Sequence, residues 1–321
     1  MSSVPVLRRW VTSAGLAALT APVTTTLARA ARAESLQPNT PEPGERTRAL
    51  DAARRLTVQV FLNGRGPYAF LIDTGANASV VSIELAAGLD LPPGAPVKLH
   101  GIAGVQPADT VLADSIRVGK RERRRLSVSV LPERFIRADG ILGMDWLGEQ
   151  GLTLDFAGKQ MRVGANPPRD DAYSVTVPTM DERSGLSLIE AQAGGVRTLV
   201  FLDTGSTTTV GNQALMDEAI RRQGVSGAWT DMQLVSLTGQ TLMGRLAALK
   251  YVRLGTITLR NLPVVFGPVH TFNYWGLADR PALLLGVDVL NAFEEVSLDY
   301  RRGSVHFRLS SSSAGRSTAA S

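Results

Sequence analysis

The chain has 321 residues, of which 44% are hydrophobic and 20% charged, enough apolar content for about two folded domains and too much for a disordered chain. Cysteine is absent, which excludes disulfides, thiolate metal sites and a cysteine nucleophile. The net charge is +5, but four arginines and no acid lie in residues 1–33, so the basic balance lends little weight to a nucleic-acid partner.

Residues 1–33 read as an export signal. Arg8 and Arg9 precede an uncharged stretch from Val11 to Ala28, and Ala31-x-Ala33 offers a small-residue cleavage site before Glu34. The arginine pair is similar to a twin-arginine signal. The stretch is rich in Thr, Gly and Ala, holds Pro22, and is marginal in length for a span. The expectation is therefore a bacterial protein, periplasmic or secreted, with no stable membrane anchor after cleavage. Residues 34–55 read as a Pro-containing linker, and 310–321 as a Ser/Ala-rich, low-complexity tail.

The body, residues 56–309, is written twice. Phe70-Leu-Ile-Asp-Thr-Gly-Ala76 recurs as Val200-Phe-Leu-Asp-Thr-Gly-Ser206 at an offset of 130 residues. The match runs on without a gap through Ser79-Val80 and Thr209-Val210 to Ser82 and Asn212. Both of the latter are good helix N-caps, each before a short helical run. A second block also repeats, Ile141-Leu-Gly-Met-Asp-Trp-Leu147 against Leu284-Leu-Gly-Val-Asp-Val-Leu290. Each copy is followed by a strand pair around a turn, Leu152–Phe156 with Gln160–Val163 and Val296–Tyr300 with Ser304–Phe307. Between the blocks, Asp114–Val118 with Leu126–Leu131 and Ala248–Leu254 with Leu262–Phe266 read as further strands. Each half is thus mainly β with one or two short helices. The halves are 56–166 and 167–309, joined through the Pro-containing segment 165–171.

A lone Asp-Thr-Gly reads as a turn, with Asp bonding its own backbone and Gly taking positive φ. Two copies in matching contexts, each after a buried-type strand and before an apolar-apolar-Gly, carry more. The halves resemble the lobes of aspartic proteases, near the retropepsin-like branch and its bacterial relatives. The resemblance covers about residues 56–309. It implies an all-β fold of two homologous lobes about a pseudo-two-fold axis, each a small closed barrel with a short helix. Asp73 and Asp203 would then meet at the cleft floor, share one proton and activate a water for peptide hydrolysis. Thr74 and Thr204 would exchange hydroxyl hydrogen bonds across the lobes. Gly75 and Gly205 would permit the tight turns and bring N–H groups onto the carboxylates, with Ala76 and Ser206 completing the loops. Gly143 and Gly286 would allow close packing beneath each loop.

Flap candidates are Leu99–Gly104, with Gly101 and Ile102, and Ser236–Gln240, with Thr238 and Gly239. His100 reads as a surface residue, Trp146 and Trp275 as core, and Arg121–Arg125 as a solvated hairpin tip. The three histidines are scattered along the chain, so no metal site and no cofactor are expected. The expected partner is a peptide or protein substrate, with no nucleic acid. The chain is expected to be a monomer, since it carries both aspartates itself.

The sequence departs from the pepsin pattern in lacking Cys pairs and a flap tyrosine, whose nearest counterpart here is Ile102. It departs from retroviral enzymes in carrying both aspartates on one chain. The alternative function is a non-catalytic peptide-binding or scaffold protein on the same fold. A glycosidase would need separated carboxylates and aromatic platforms, and aromatic residues are only 6%. No Gly-x-Ser-x-Gly, His-Glu-x-x-His or P-loop pattern is present.

Overall fold

Alternating apolar residues in the first half fold as the strands that alternation implies. In this computed structural model, residues 55–147, 151–164, 170–180 and 187–310 are described. The expected export signal, nearly all of the linker, the segment 165–169 and the tail from 311 lie outside the described residues. The first half holds β1 (Thr57–Leu62), β2 (Arg65–Ile72), β3 (Val80–Ser82), α1 (Ile83–Gly88), β4 (Val97–Gly101), β5 (Gly104–Ala108), β6 (Thr110–Val118), β7 (Arg121–Leu131), α2 (Glu133–Ile136), β8 (Gly140–Leu142) and α3 (Met144–Leu147). Six of these strands close into a barrel in the order β1-β2-β8-β3-β7-β6, and β4 with β5 forms a separate hairpin.

The chain continues through β9 (Leu152–Asp155), β10 (Gln160–Val163) and β11 (Ser174–Met180) into β12 (Leu188–Ala193), β13 (Val196–Leu202), β14 (Val210–Gly211), α4 (Gln213–Arg221), β15 (Val225–Val235), β16 (Thr241–Leu254), β17 (Ile257–Phe266), α5 (His270–Tyr274), β18 (Ala282–Leu285), α6 (Val287–Leu290), β19 (Phe293–Asp299) and β20 (Ser304–Leu309). The run β12-β13-β18-β14-β17-β16 closes on itself through a β12–β16 pairing. Strand for strand it repeats the first barrel: β13 pairs β18 in parallel as β2 pairs β8, and β14 pairs β17 in parallel as β3 pairs β7.

The halves join in a shared sheet of order β10-β9-β19-β20-β11. Its centre pairs β9 with β19 antiparallel, Thr153 opposite Ser297, and their buried hydroxyls hydrogen-bond at 2.9 Å. The sequence shows these as two separate strand pairs. Their joining depends on edge-to-edge pairing that alternation does not encode.

The strand leading to each Asp-Thr-Gly is apolar without alternation because both of its faces are buried. Phe70 and Ile72 face the barrel core while Leu71 faces a second cluster beside the cleft. Val200, Leu202 and Phe201 divide in the same way. Each half has three short helices among the described residues, against the one or two expected. The extra ones, such as α3 and α6, are four-residue turns too short to show a 3.6-residue period. Arg121–Arg125 is strand rather than tip: these residues open β7 and remain largely exposed.

Ser82 caps α1 by accepting from the Leu85 N–H at 3.0 Å. Asn212 caps α4 through Leu215 N–H at 2.9 Å, and its amide also donates to the Leu277 and Arg280 carbonyls, each at 2.7 Å. Ser82→Ala should therefore cost about 1 kcal/mol. Asn212→Ala should cost at least twice as much, because it also strands buried carbonyls. Chemical denaturation compares them, and equal losses would reduce Asn212 to a simple cap.

Candidate active site

Asp73 and Asp203 follow β2 and β13 directly, and each main-chain N–H is held by the neighbouring strand. Asp73 donates to Leu142 O at 3.1 Å and Asp203 to Leu285 O at 3.0 Å. Both side chains are fully buried. Within its own loop Asp73 Oδ1 accepts from Gly75 N–H at 2.9 Å. Asp203 Oδ1 accepts from Gly205 and Ser206 N–H, each at 3.0 Å. The next N–H of each loop also bonds its aspartate's main-chain oxygen, Ala76 to Asp73 at 3.4 Å and Ser206 to Asp203 at 3.2 Å.

The two carboxyls meet across the lobe boundary, each lying over the other lobe's glycine. A methyl at Gly75 would stand 2.6 Å from Asp203 Cγ, and one at Gly205 would stand 2.1 Å from Asp73 Oδ2. No side chain fits either position, so glycine here is a matter of space. Burial, the charge of Asp73 and a hydrogen bond with the Asp73 side chain push the Asp203 carboxyl well above its ordinary range. The Ser206 and Gly205 N–H groups oppose that shift without cancelling it.

Two threonines lock the loops together. Thr74 N–H donates to Thr204 Oγ1 at 3.1 Å, and Thr204 N–H donates to Thr74 Oγ1 at 3.2 Å. The hydroxyls in turn donate to Leu202 O at 2.8 Å and Ile72 O at 2.7 Å. Each hydroxyl thus bonds the other lobe's backbone, not the other hydroxyl.

Behind each loop stands a brace that sequence reading does not assign. Asp145 accepts from the N–H and hydroxyl of Ser79 at 2.9 and 2.7 Å, and the same hydroxyl accepts from Gly143 N–H at 3.0 Å. Asp288 accepts from Thr209 N–H and hydroxyl at 2.9 and 2.8 Å, and Thr209 Oγ1 accepts from Gly286 N–H at 3.1 Å. Burial raises the Asp288 carboxyl against these bonds. Gly143 and Gly286 pass so near the loops that a methyl would lie 2.6 Å from Ala78 C and 2.7 Å from Thr208 C. The available signal was the repetition, in both halves, of a hydroxyl residue six positions after the loop aspartate and of an aspartate two positions after the packing glycine.

The flap candidates are hairpin tips, and each is lodged in the opposite lobe. Ile102, between β4 and β5, is fully buried among second-lobe residues including Phe201, Phe272 and Trp275. Leu237, at the turn between β15 and β16, packs among first-lobe residues including Leu71, Ile136 and Ile141. Gly101 faces the Thr238 and Ser236 side chains of the other tip, and Gly239 takes a positive φ against the Phe135 ring. Trp146 and Trp275 are both buried, and Trp146 Nε1 donates to Ile116 O at 2.9 Å. Sequence distance misleads on the histidines: His100 and His270 meet with Nδ1 and Nε2 3.2 Å apart. His306 is buried elsewhere, against Asp170. No group of three or more His, Cys, Asp or Glu side chains positioned for a metal is found among the described residues.

The paired loops, shared barrel topology and facing carboxyls define a two-lobe, retropepsin-like arrangement. Residues 57–146 and 189–289 both match the family model described as aspartyl protease, one match per lobe. The chain belongs to the aspartyl protease family. No curated protein matches it.

Two outcomes follow from this geometry. Thr204→Ala leaves Thr74 N–H and Ile72 O buried without partners and should cost about 2–4 kcal/mol, whereas Thr204→Ser should cost under about 1 kcal/mol. Equal costs in denaturant would contradict the lock. For Asp203, the folded carboxyl holds its proton above the unfolded-chain value near 3.8. It therefore stabilises the fold at low pH and loses that contribution as pH rises through the folded value. Asp203→Asn should be more stable than the parent at neutral pH, with the gain shrinking toward about pH 4. A variant less stable than the parent at neutral pH would overturn the assignment.

Proposed function

We propose that this protein is an exported aspartic endopeptidase in which Asp73 and Asp203 activate a water molecule between them. The observation that carries this reading is the meeting of two buried carboxyls, one from each lobe, each over the other's glycine. Two carboxyls so placed do not ionise independently, and the pair retains one proton. The ionised carboxylate removes a proton from water as its oxygen adds to the substrate carbonyl carbon. The protonated carboxyl hydrogen-bonds to the carbonyl oxygen and gives it the proton, forming a gem-diol. Proton transfer to the amide nitrogen then accompanies C–N cleavage and re-forms the carboxylic acid of one product.

The two carboxyls act on each other directly, which fits poorly with glycosidase carboxylates held roughly 5 Å or more apart. One chain supplies both halves of the site, which supports a monomer. Among the described residues no helix is long and apolar enough to cross a membrane. The export part of the proposal rests on residues 1–33, and an N-terminus at Glu34 in the secreted chain would support it. An intact Met1 there would refute it.

The test of activity is cleavage of a diverse peptide library across roughly pH 3–8, with and without a statine-type transition-state analogue. Inhibitor-sensitive cleavage is expected, falling on both sides of an optimum because one proton must be shared. Asp73→Asn and Asp203→Asn should each lower kcat by at least about 10³-fold while remaining folded. Peptide binding without cleavage at any pH would favour the non-catalytic alternative.

A further inference from the structure

The first-lobe hairpin is held against the second lobe by contacts that no catalytic step uses. Its tip residue Ile102 is fully buried in the second lobe, and Ile102 O accepts from His270 N–H at 2.7 Å. One turn of strand away, His100 Nδ1 lies 3.2 Å from His270 Nε2. The two rings stack with centroids 5.4 Å apart, and Tyr274 lies against His100 at 4.7 Å. Strand β4 and helix α5 are thus joined side chain to side chain, across the lobe boundary and beside the tip. We infer that His100 and His270 form a clasp that holds this hairpin against the second lobe and releases it on acidification.

The chemistry is that of two imidazoles facing each other. A hydrogen bond between ring nitrogens needs one N–H and one lone pair, so it forms when at least one ring is neutral. A first proton leaves the bond intact. A second removes the only acceptor and sets two N–H groups and two positive charges against each other at 3.2 Å. The pair escapes that repulsion by parting. Burial already disfavours a charge on His270. Strand β4 adds Lys98 on the same side as His100, and α5 adds only Tyr274. Strand β5 and the turn 236–240 carry no titratable group, while Asp279 and Arg280 follow α5 in the loop to β18. Withdrawing the tip breaks a contact between the two lobes that form the site, so the clasp would couple substrate access to pH. That consequence rests on the peptidase reading, whereas the opening itself does not.

The test is amide hydrogen exchange in the full chain carrying Asp73→Asn, which takes the dyad's own titration out of the measurement. Exchange of segments 97–108 and 269–275 is followed from about pH 7.5 to pH 5 and corrected for the intrinsic rate at each pH. Protection should fall with acidification, approaching tenfold per pH unit once the closed state excludes the second proton. His100→Gln and His270→Gln, each neutral at every pH, should hold protection constant, and either variant suffices if the other folds poorly. Constant protection in the parent, or the same loss in both Gln variants, would overturn the clasp. Cleavage by the chain with both aspartates is measured in parallel. Acid-dependent opening without cleavage would refute the peptidase and leave the clasp standing, and cleavage without opening would do the reverse.

Discussion

Everything in this molecule turns on two carboxyl groups that share one buried space although they come from different lobes. Burial alone penalises their charge, and proximity penalises it again. The chain answers with N–H groups from Gly75, Gly205 and Ser206, which offset part of the cost and leave the Asp203 carboxyl raised above its ordinary range. Such an arrangement tolerates little drift between the lobes. The crossed bonds of Thr74 and Thr204 supply the registration, and the β9–β19 pairing beneath them joins the lobes a second time.

Duplication explains why the site can be built this way. One lobe presents one loop on strands buried on both faces, and a second copy of the same topology presents another loop facing it. The copies are not identical where they meet the cleft. Position 206 is a serine whose hydroxyl donates to Thr208 O at 2.7 Å, whereas its counterpart Ala76 carries no hydroxyl. Helix α5 brings His270 and Tyr274 to the first-lobe hairpin, a contact the second-lobe tip replaces with the Phe135 ring. The reciprocal burial of Ile102 and Leu237 ties each tip to the opposite lobe, while the two carboxyls are themselves fully buried.

Much of this is legible in the sequence, because local chemistry writes it there. The repeated Asp-Thr-Gly and apolar-apolar-Gly blocks mark the loops and the strands beneath them. Ser82 and Asn212 announce the two helices they cap. What is not legible depends on contacts between distant residues. Ser79 and Asp145 repeat as Thr209 and Asp288, but nothing local says that hydroxyl and carboxylate bond across 66 and 79 residues. Ile102 reads as a flap candidate, but nothing local says that the other lobe buries it. His100 and His270, 170 residues apart, come together only through lobe packing.

The most direct test of the central claim is infrared difference spectroscopy of the carboxyl groups, comparing the parent with Asp73→Asn and with Asp203→Asn. At about pH 5.5, above the ordinary carboxylate range, the account predicts one carboxylic-acid carbonyl band in the parent that is missing from, or shifted in, each variant. A parent in which Asp73 and Asp203 are both ionised at that pH would contradict the shared proton, and with it the mechanism.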